Sequence, residues 1–379
     1  MDRMDQEQIQ NLGQNQDQNQ NRGQNQSQNQ SQNQSQNQSQ NQNQEPEQSQ
    51  SQNQNQNSEK ELVPIFFTVD DSYAPYLGVA LQSLTENASD SCRYRVIIIE
   101  EDLSEANRAR LLEYQDDRFE ITFAKMKEKA TAITNREENR LRCDYFTMTI
   151  YYRLFIAEMF PEYDKAIYID SDLVVPGDIS EMYRRDLGDN LIAACVDRAV
   201  ANNAALSCYA EGALGIDPEF YINSGVLLMN LRQLRREKFS ERFLSLLSRY
   251  HFYCIAPDQD YLNAICRGRI LYLDGAWDVM PDNSRPAAAA PMLIHYNLFD
   301  KPWCYDGIQY EEYFWNYARE TAWYEELLRF KADYSEEQKA SDRACMEEML
   351  EKAVEVPEMD VTFRKVREAG IPVEIPLPR

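Results

Sequence analysis

Histidine is almost missing from the 379 residues; only His251 and His295 are present. Basic side chains are also in short supply, 39 against 63 acidic ones, which leaves a net charge of −24 and an isoelectric point near 4.6. Nucleic acid and anionic membrane surfaces repel such a chain, so neither is expected as its main partner. No apolar run approaches the ~18–20 residues a membrane-spanning helix needs; Val96-Ile97-Ile98-Ile99 is only strand-length. The first residues, Met1-Asp2-Arg3-Met4-Asp5-Gln6-Glu7, lack the basic and apolar regions of a secretory signal. Among the eight cysteines there is no C-x-x-C pair, which speaks against a structural zinc and for reduced, mostly buried thiols. The expected address is the cytoplasm.

What is abundant comes first in the chain. Of residues 1–57, 36 are Gln or Asn, and Ser27–Gln42 repeats Ser-Gln-Asn-Gln. Such a segment buries too little apolar area to offset its ordering entropy. Residues 1–58 therefore read as a disordered, solvated leader with no catalytic role, or else with a weak self-association or localisation role through polar β-zippers.

From Leu62 the composition changes. Leu62–Val69, Tyr94–Ile99, Phe119–Phe123, Lys165–Ile169 and Leu191–Val196 read as buried strands, and Met292–His295 as a short one. Between them lie helical patterns at Tyr76–Leu84, Leu103–Tyr114, Thr147–Phe160, Leu234–Tyr250 and Asp258–Cys266. Strand–helix alternation of this kind implies an α/β fold with a mostly parallel sheet covered by helices on both faces. We expect this domain over residues 59–304 and a helical extension over 305–379, loosely ordered beyond about 355. The aromatic stretch Tyr310–Leu328 could wall a groove, but its spacing suits plain packing better.

In such sheets ligands bind beyond the carboxyl ends of the strands. Acids fall at three of those ends: Asp70 with Asp71, Asp170 with Asp172, and Asp197. Gathered at one pole they would repel each other unless a cation sat among them, which favours a divalent metal over chance turn chemistry. Asp170 and Asp172 are the sharpest pair. In extended backbone residues i and i+2 point to one side, so both carboxylates can reach one ion while Ser171 points away. Oxygen ligands suit Mg²⁺ or Mn²⁺, and an imidazole such as His295, at another strand end, shifts the preference toward Mn²⁺.

Five ordered blocks carry a resemblance. They are Thr68-Val69-Asp70-Asp71-Ser72-Tyr73, Ile167-Tyr168-Ile169-Asp170-Ser171-Asp172, Tyr221-Ile222-Asn223-Ser224-Gly225-Val226-Leu227-Leu228-Met229-Asn230, Asp258-Gln259-Asp260-Tyr261-Leu262-Asn263 and His295…Lys301-Pro302-Trp303. Together they resemble glycosyltransferase family 8, retaining nucleotide-sugar transferases, over about residues 62–304. The resemblance implies the GT-A fold, Mn²⁺ (or Mg²⁺) as cofactor, a UDP-sugar donor and a carbohydrate or lipid-linked glycan acceptor. It implies Asp170, Asp172 and His295 as metal ligands, with Ser171 between the first two in the donor site. Val69, Asp71 and Tyr73 fall on the uracil and ribose cradle, and Lys301 on a diphosphate contact. Arg153 lies where the family has an arginine near the diphosphate and sugar, and Asp197 and Asn223 where it holds the sugar hydroxyls. Gln259 falls beside the anomeric carbon, next to Asp260. One position departs from the motif: Leu298 replaces a glycine, and its N–H would serve a phosphate only if its φ were negative.

The implied reaction is same-face attack by an acceptor hydroxyl, since Gln259 is a poor nucleophile; Asp260 as a transient nucleophile is the weaker option. Two other readings compete. A sugar nucleotidyltransferase would need a Gly-rich basic loop after the first strand, where this chain has Asp70-Asp71-Ser72-Tyr73-Ala74-Pro75. A non-catalytic nucleotide-sugar-binding protein would have little use for an intact Asp170, Asp172, His295 and Lys301.

Overall fold

A computed structural model describes residues 60–126 and 148–378. The Gln/Asn leader and the self-association expected of it lie outside these residues. Within them are strands β1 (Glu61–Val69), β2 (Cys92–Glu100), β3 (Phe119–Lys125), β4 (Ala166–Ile169), β5 (Leu173–Val174), β6 (Ile192–Ala194), β7 (Val226–Met229), β8 (Ile270–Tyr272) and β9 (Ile294–His295). Seven form one sheet in the order β3-β2-β1-β4-β7-β6-β8, and β5 pairs with β9 in a small second sheet.

The large sheet is mostly parallel, as expected. Its exception is β7, antiparallel to both β4 and β6. That reversal has a purpose in the architecture: the start of β7, not its end, reaches the edge where β4 and β6 finish. Successive strand side chains point to opposite faces, and both faces are covered. Val63, Ile65 and Phe67 of β1 enter one buried cluster, while Phe66 enters the other. Two-sided burial is why these strands read as unbroken apolar runs.

Two expected helices are broken. The Thr147–Phe160 pattern resolves, over its described part, into Thr149–Tyr152, a 3-10 turn Arg153–Phe155 and Ile156–Met159. Leu234–Tyr250 divides into Leu231–Arg236 and Phe239–Tyr250, with Lys238 left-handed (φ 55°) between them. Apolar spacing runs straight through both breaks, so periodicity gives no sign of them. The aromatic stretch does pack: Phe314, Trp323 and Leu327 are buried in the cluster that takes helix Ala74–Asn87. A Cβ at Gly78 would come within 2.3 Å of the Trp323 ring, so only glycine admits that indole.

The C-terminal residues differ from expectation. After helix Glu336–Glu355, opened by a Ser335/Gln338 capping box, the chain is well tied down rather than loose. Val373 and Ile375 are buried, and Ile375 N–H donates to the Ile265 carbonyl at 2.9 Å. Buried Arg269 reaches the Pro376 carbonyl at 3.3 Å. Six described cysteines are free thiols, but Cys345 is disulfide-bonded, contrary to the all-reduced expectation. No described helix is long and apolar enough to cross a membrane.

Candidate active site

Strand β4 runs directly into Asp170, whose N–H donates to the Gly225 carbonyl at 2.8 Å. Ser171 turns inward, its hydroxyl donating to the Thr68 carbonyl at 3.3 Å. The small sheet then brings in the histidine. Leu173 pairs with His295, and Tyr296 N–H donates to the Asp172 carbonyl at 2.9 Å. Backbone rungs, not side-chain chance, therefore place the imidazole beside the carboxylates. His295 Nε2 stands 3.2 Å from Asp172 Oδ1 and 3.8 Å from Asp170 Oδ2. One ligand atom from each of the three residues lies within 4.8 Å of the others.

Asp278, absent from the sequence-based candidates, completes this group. Its Oδ1 is 3.1 Å from His295 Nδ1. An Nδ1–H donated to that carboxylate leaves the Nε2 lone pair facing Asp170 and Asp172, as a metal-binding histidine requires. Asp278 is placed by its neighbour Val279, whose N–H donates to Leu293 O (3.0 Å) and whose carbonyl accepts from His295 N–H (2.9 Å). Its Oδ2 is buried with no hydrogen-bond partner. Two carboxylates and an imidazole, backed by a third carboxylate, fit a divalent cation such as Mn²⁺ or Mg²⁺.

Without a cation the charges pair among themselves. Lys301 Nζ contacts Asp172 and the Tyr296 carbonyl. Burial pushes the Asp172 carboxyl up, but Lys301 and His295 outweigh it and hold it well below the usual carboxylate range. Burial pulls the His295 imidazole down, yet Asp172 and Asp278 carry it up to about 10. On the other flank Arg153 lies in the 3-10 turn that interrupts its helix. It donates to Asp170 Oδ1 at 2.8 Å and to the Ser224 carbonyl at 2.7 Å, and its Nε is 3.2 Å from Asp258 Oδ2. Its guanidinium also lies 4.5 Å over the Tyr168 ring, and the Tyr168 hydroxyl donates to Asp170 Oδ1 at 2.6 Å.

These groups open onto a cavity of about 140 Å³ lined by Arg153, Asp170, Asp172, Asp197, Asn223, Asp258, Gln259, His295 and Leu298, among others. The Gln259 amide is held at both ends: Nε2 donates to Asp197 Oδ2 (2.9 Å) and Oε1 accepts from Ser224 N–H (2.9 Å). Asn223 Nδ2 also donates to Asp197 Oδ2, at 3.1 Å. Asp258, missed as a candidate, accepts from the Ser224 hydroxyl; burial raises its pKa despite Arg153. The start of β7 delivers Asn223, Ser224 and Gly225 together. A Cβ on Gly225 would meet His295 Cε1 at 2.3 Å and Asp170 Oδ2 at 2.7 Å. Only glycine fits against this carboxylate–imidazole pair, and the Asn-Ser-Gly sequence was its one available signal.

Several expected residues stand elsewhere. Asp260 does not line the cavity. Its buried carboxylate accepts from the Tyr221 hydroxyl (2.6 Å), the Tyr209 hydroxyl (2.7 Å) and Ala256 N–H (3.2 Å), and burial pushes its pKa up to about 7 against those bonds. Val69, Asp71 and Tyr73 sit at the end of β1, and none of them lines the cavity. Asp71 accepts from Ser104 N–H and Asn107 Nδ2, both at 2.8 Å, and the Ser104 bond lowers its pKa. Val69 is buried, while Tyr73 is 40% exposed. Leu298 has φ 55°, so it adopts the left-handed conformation glycine would take and not the negative φ set as the condition for its N–H to serve a phosphate. That conformation costs a leucine about 1–2 kcal/mol.

With this geometry in place, likeness to known proteins becomes specific. The model of glycosyl transferase family 8 matches residues 64–307. A putative glycosyltransferase of Haemophilus influenzae is 24% identical over 218 residues, 57% of this chain and 63% of its own length. The lipopolysaccharide 1,2-glucosyltransferase of Escherichia coli K12 is 26% identical over 185 residues, 44% of this chain and 53% of its own. The chain thus spans less than two thirds of either relative. Among solved structures, the galactosyltransferase LgtC in complex with donor and acceptor sugar analogs superposes with a TM-score of 0.58 at 26% identity, covering 69% of this chain and 96% of LgtC. The sheet order, the flanking helices and a family match over more than half of the chain lead to one statement: this protein belongs to glycosyl transferase family 8 and has the GT-A fold.

Proposed function

We propose that this glycosyltransferase is a hexosyltransferase. It moves glucose or galactose from a UDP-sugar to a hydroxyl of a carbohydrate or lipid-linked glycan, with retention at the anomeric carbon. The observation that carries the reading is the convergence of Asp170, Asp172 and His295 within 4.8 Å at the rim of a cavity floored by Gln259, Asp197 and Asn223. The cavity's 140 Å³ is small against the ~300–1,000 Å³ of a drug-sized pocket. It suits one sugar ring, with the nucleotide outside it along Val69, Asp71 and Tyr73.

Asp170, Asp172 and His295 would hold Mn²⁺ or Mg²⁺, which supplies Lewis-acid neutralisation of charge on the departing diphosphate. Lys301 and Arg153, already gathered on the same carboxylates, bind and orient that diphosphate. Asp197 and Asn223 hold sugar hydroxyls. Gln259, its amide fixed at both ends, presents a lone pair and not a nucleophile to the anomeric carbon. The acceptor oxygen then bonds to that carbon on the face the diphosphate leaves, the C–O bond to the β-phosphate breaks, and the hydroxyl proton passes to the released phosphate oxygen. Asp260, with both oxygens engaged by tyrosines, is a positioning residue behind Gln259.

The test is UDP release from UDP-glucose and UDP-galactose with Mn²⁺, by wild type and Asp172→Asn. The variant should keep the wild-type fold and release UDP about 10²–10³-fold more slowly. Equal turnover by both would overturn the metal-centred reading, and no release from any hexose donor would favour a binding protein instead.

A further inference from the structure

The chain that leads into β7, residues 221–225, carries Asn223 and Ser224 to the cavity, and along one edge a strand holds it. On that edge Asp197 N–H donates to the Tyr221 carbonyl (2.8 Å) and Asn223 N–H to the Cys195 carbonyl (3.0 Å). These rungs flank the antiparallel bridge between Val196 and Ile222 and continue β6 past its end. Successive residues of an extended chain present their N–H and C=O to opposite sides. Those of Ile222 therefore point away from β6, and a single side chain meets them. Asn263 Oδ1 accepts from Ile222 N–H at 2.8 Å, and Asn263 Nδ2 donates to the Ile222 carbonyl at 2.9 Å. A side-chain amide is a small peptide group, and this pair of bonds is the one a strand neighbour would make.

Asn263 Nδ2 also donates to the Gln259 carbonyl, at 3.0 Å. With its acceptor and both donors engaged, the amide has one orientation; flipped, it would set an N–H against the N–H of Ile222. Asn263 is 1% exposed and stands one turn after Gln259 on helix Pro257–Ile265. It does not line the cavity, yet it joins the two supports of the cavity floor, the 221–225 segment and that helix. Those supports bear Asn223 and Gln259, whose side-chain amides meet on Asp197 Oδ2. Asp260 ties the same helix to the preceding residue, but through the Tyr221 hydroxyl; Asn263 holds the backbone itself.

We propose that Asn263 is a positioning residue for hexosyl transfer: standing in for a strand neighbour, it fixes the spacing of Gln259 and Asn223 around the sugar ring. The role rests on the hexosyltransferase reading. Lys301, Asp170, Asp172 and His295 take no bond from Asn263, so the grip on the diphosphate should outlast its loss. The first measurement needs no turnover: amide exchange followed by NMR, residue by residue, on the full chain. Ser224 N–H donates to Gln259 Oε1, so it reports how firmly Gln259 is held. In Asn263→Ala it should exchange about tenfold faster, while amides of β7 keep wild-type rates. With UDP-hexose, kcat should fall roughly 10–100-fold and donor KM stay within about threefold. Asn263→Asp keeps an acceptor for Ile222 N–H and loses the amide donors, so it gives a result even if Asn263→Ala folds poorly. It should leave Ile222 N–H protected and still loosen Ser224. The control for lost stability is Ser83→Ala, which frees the buried Val175 N–H outside the cavity lining and should change neither Ser224 exchange nor kcat. Wild-type protection of Ser224 in both Asn263 variants would overturn the proposal. So would a raised KM with kcat kept, or equal changes in Ser83→Ala. Absence of turnover by wild type would sink the hexosyltransferase reading alone, since exchange at Ser224 still decides whether Asn263 orients Gln259.

Discussion

Strands β1 and β4 are parallel neighbours, and both run out into acids, yet the two ends became different things. At the end of β1, Asp70 accepts from the Ser72 hydroxyl and Tyr73 N–H, and Asp71 from Ser104 and Asn107. These bonds all come from neutral donors, two of them backbone N–H groups; Asp70 is satisfied as ordinary turn chemistry and Asp71 by the start of helix Glu105–Leu112. At the end of β4, Asp170 and Asp172 face Arg153, Lys301 and His295, the last two more than 120 residues away in sequence. The same short acidic motif serves as a turn where its partners are neutral and as a site where they are cationic or can bind a metal. The third acid, Asp197, goes to helix capping and amide contacts: Val200 N–H donates to its Oδ1 at 3.1 Å. Of the acids expected at one pole, those of β1 are thus turned to other partners, while Asp170, Asp172 and Asp197 line one cavity and only the first two converge with His295.

The largest effect separating the two ends should come from Asp172→Asn, which we expect to cost about 10²–10³-fold in UDP-hexose turnover, read as kcat with saturating donor. Next is Asp278→Ala. With the imidazole unanchored, Mn²⁺ affinity measured by electron paramagnetic resonance should fall roughly 10–100-fold, although Asp278 is not itself among the three converging ligands. At the β1 end, Asp71→Asn should raise the donor KM only about two- to tenfold with kcat kept, the effect of one weakened hydrogen bond in ground-state binding. A loss of kcat there instead would abolish the distinction between the ends. The gentlest probe is pH. His295 rises from 6.5 to about 10 in the metal-free fold. A group raised by folding stabilises fully below its unfolded value and loses that contribution as pH climbs through the folded one. Urea midpoints of the metal-free protein should therefore fall between about pH 6.5 and 10, and fall less in His295→Gln.

Much of this was legible in residues 62–304. Long apolar runs announced β1 to β4, because burial on both faces removes polar alternation, and the i, i+2 rule placed Asp170 with Asp172. The two- and three-residue strands β5 and β8 were not legible, since so short a run has no periodicity to read. Asp278 escaped for a related reason. It stands in a loop 17 residues before His295, and only the Val279 and Leu293 rungs bring it there. The roles weighed for Asp260 and Leu298 turned on features no sequence displays: a pair of tyrosine hydroxyls in one case, a positive φ in the other.

The bare backbone at Gly225 restricts how the enzyme could be redesigned. With no room for even a methyl group beside His295 and Asp170, position 225 cannot be enlarged to reshape the cavity without displacing one of them. Ala199 and Ala256, which also line it, can only be enlarged. Any widening of the cavity has to come from its larger lining residues, such as Ile150 and Leu206.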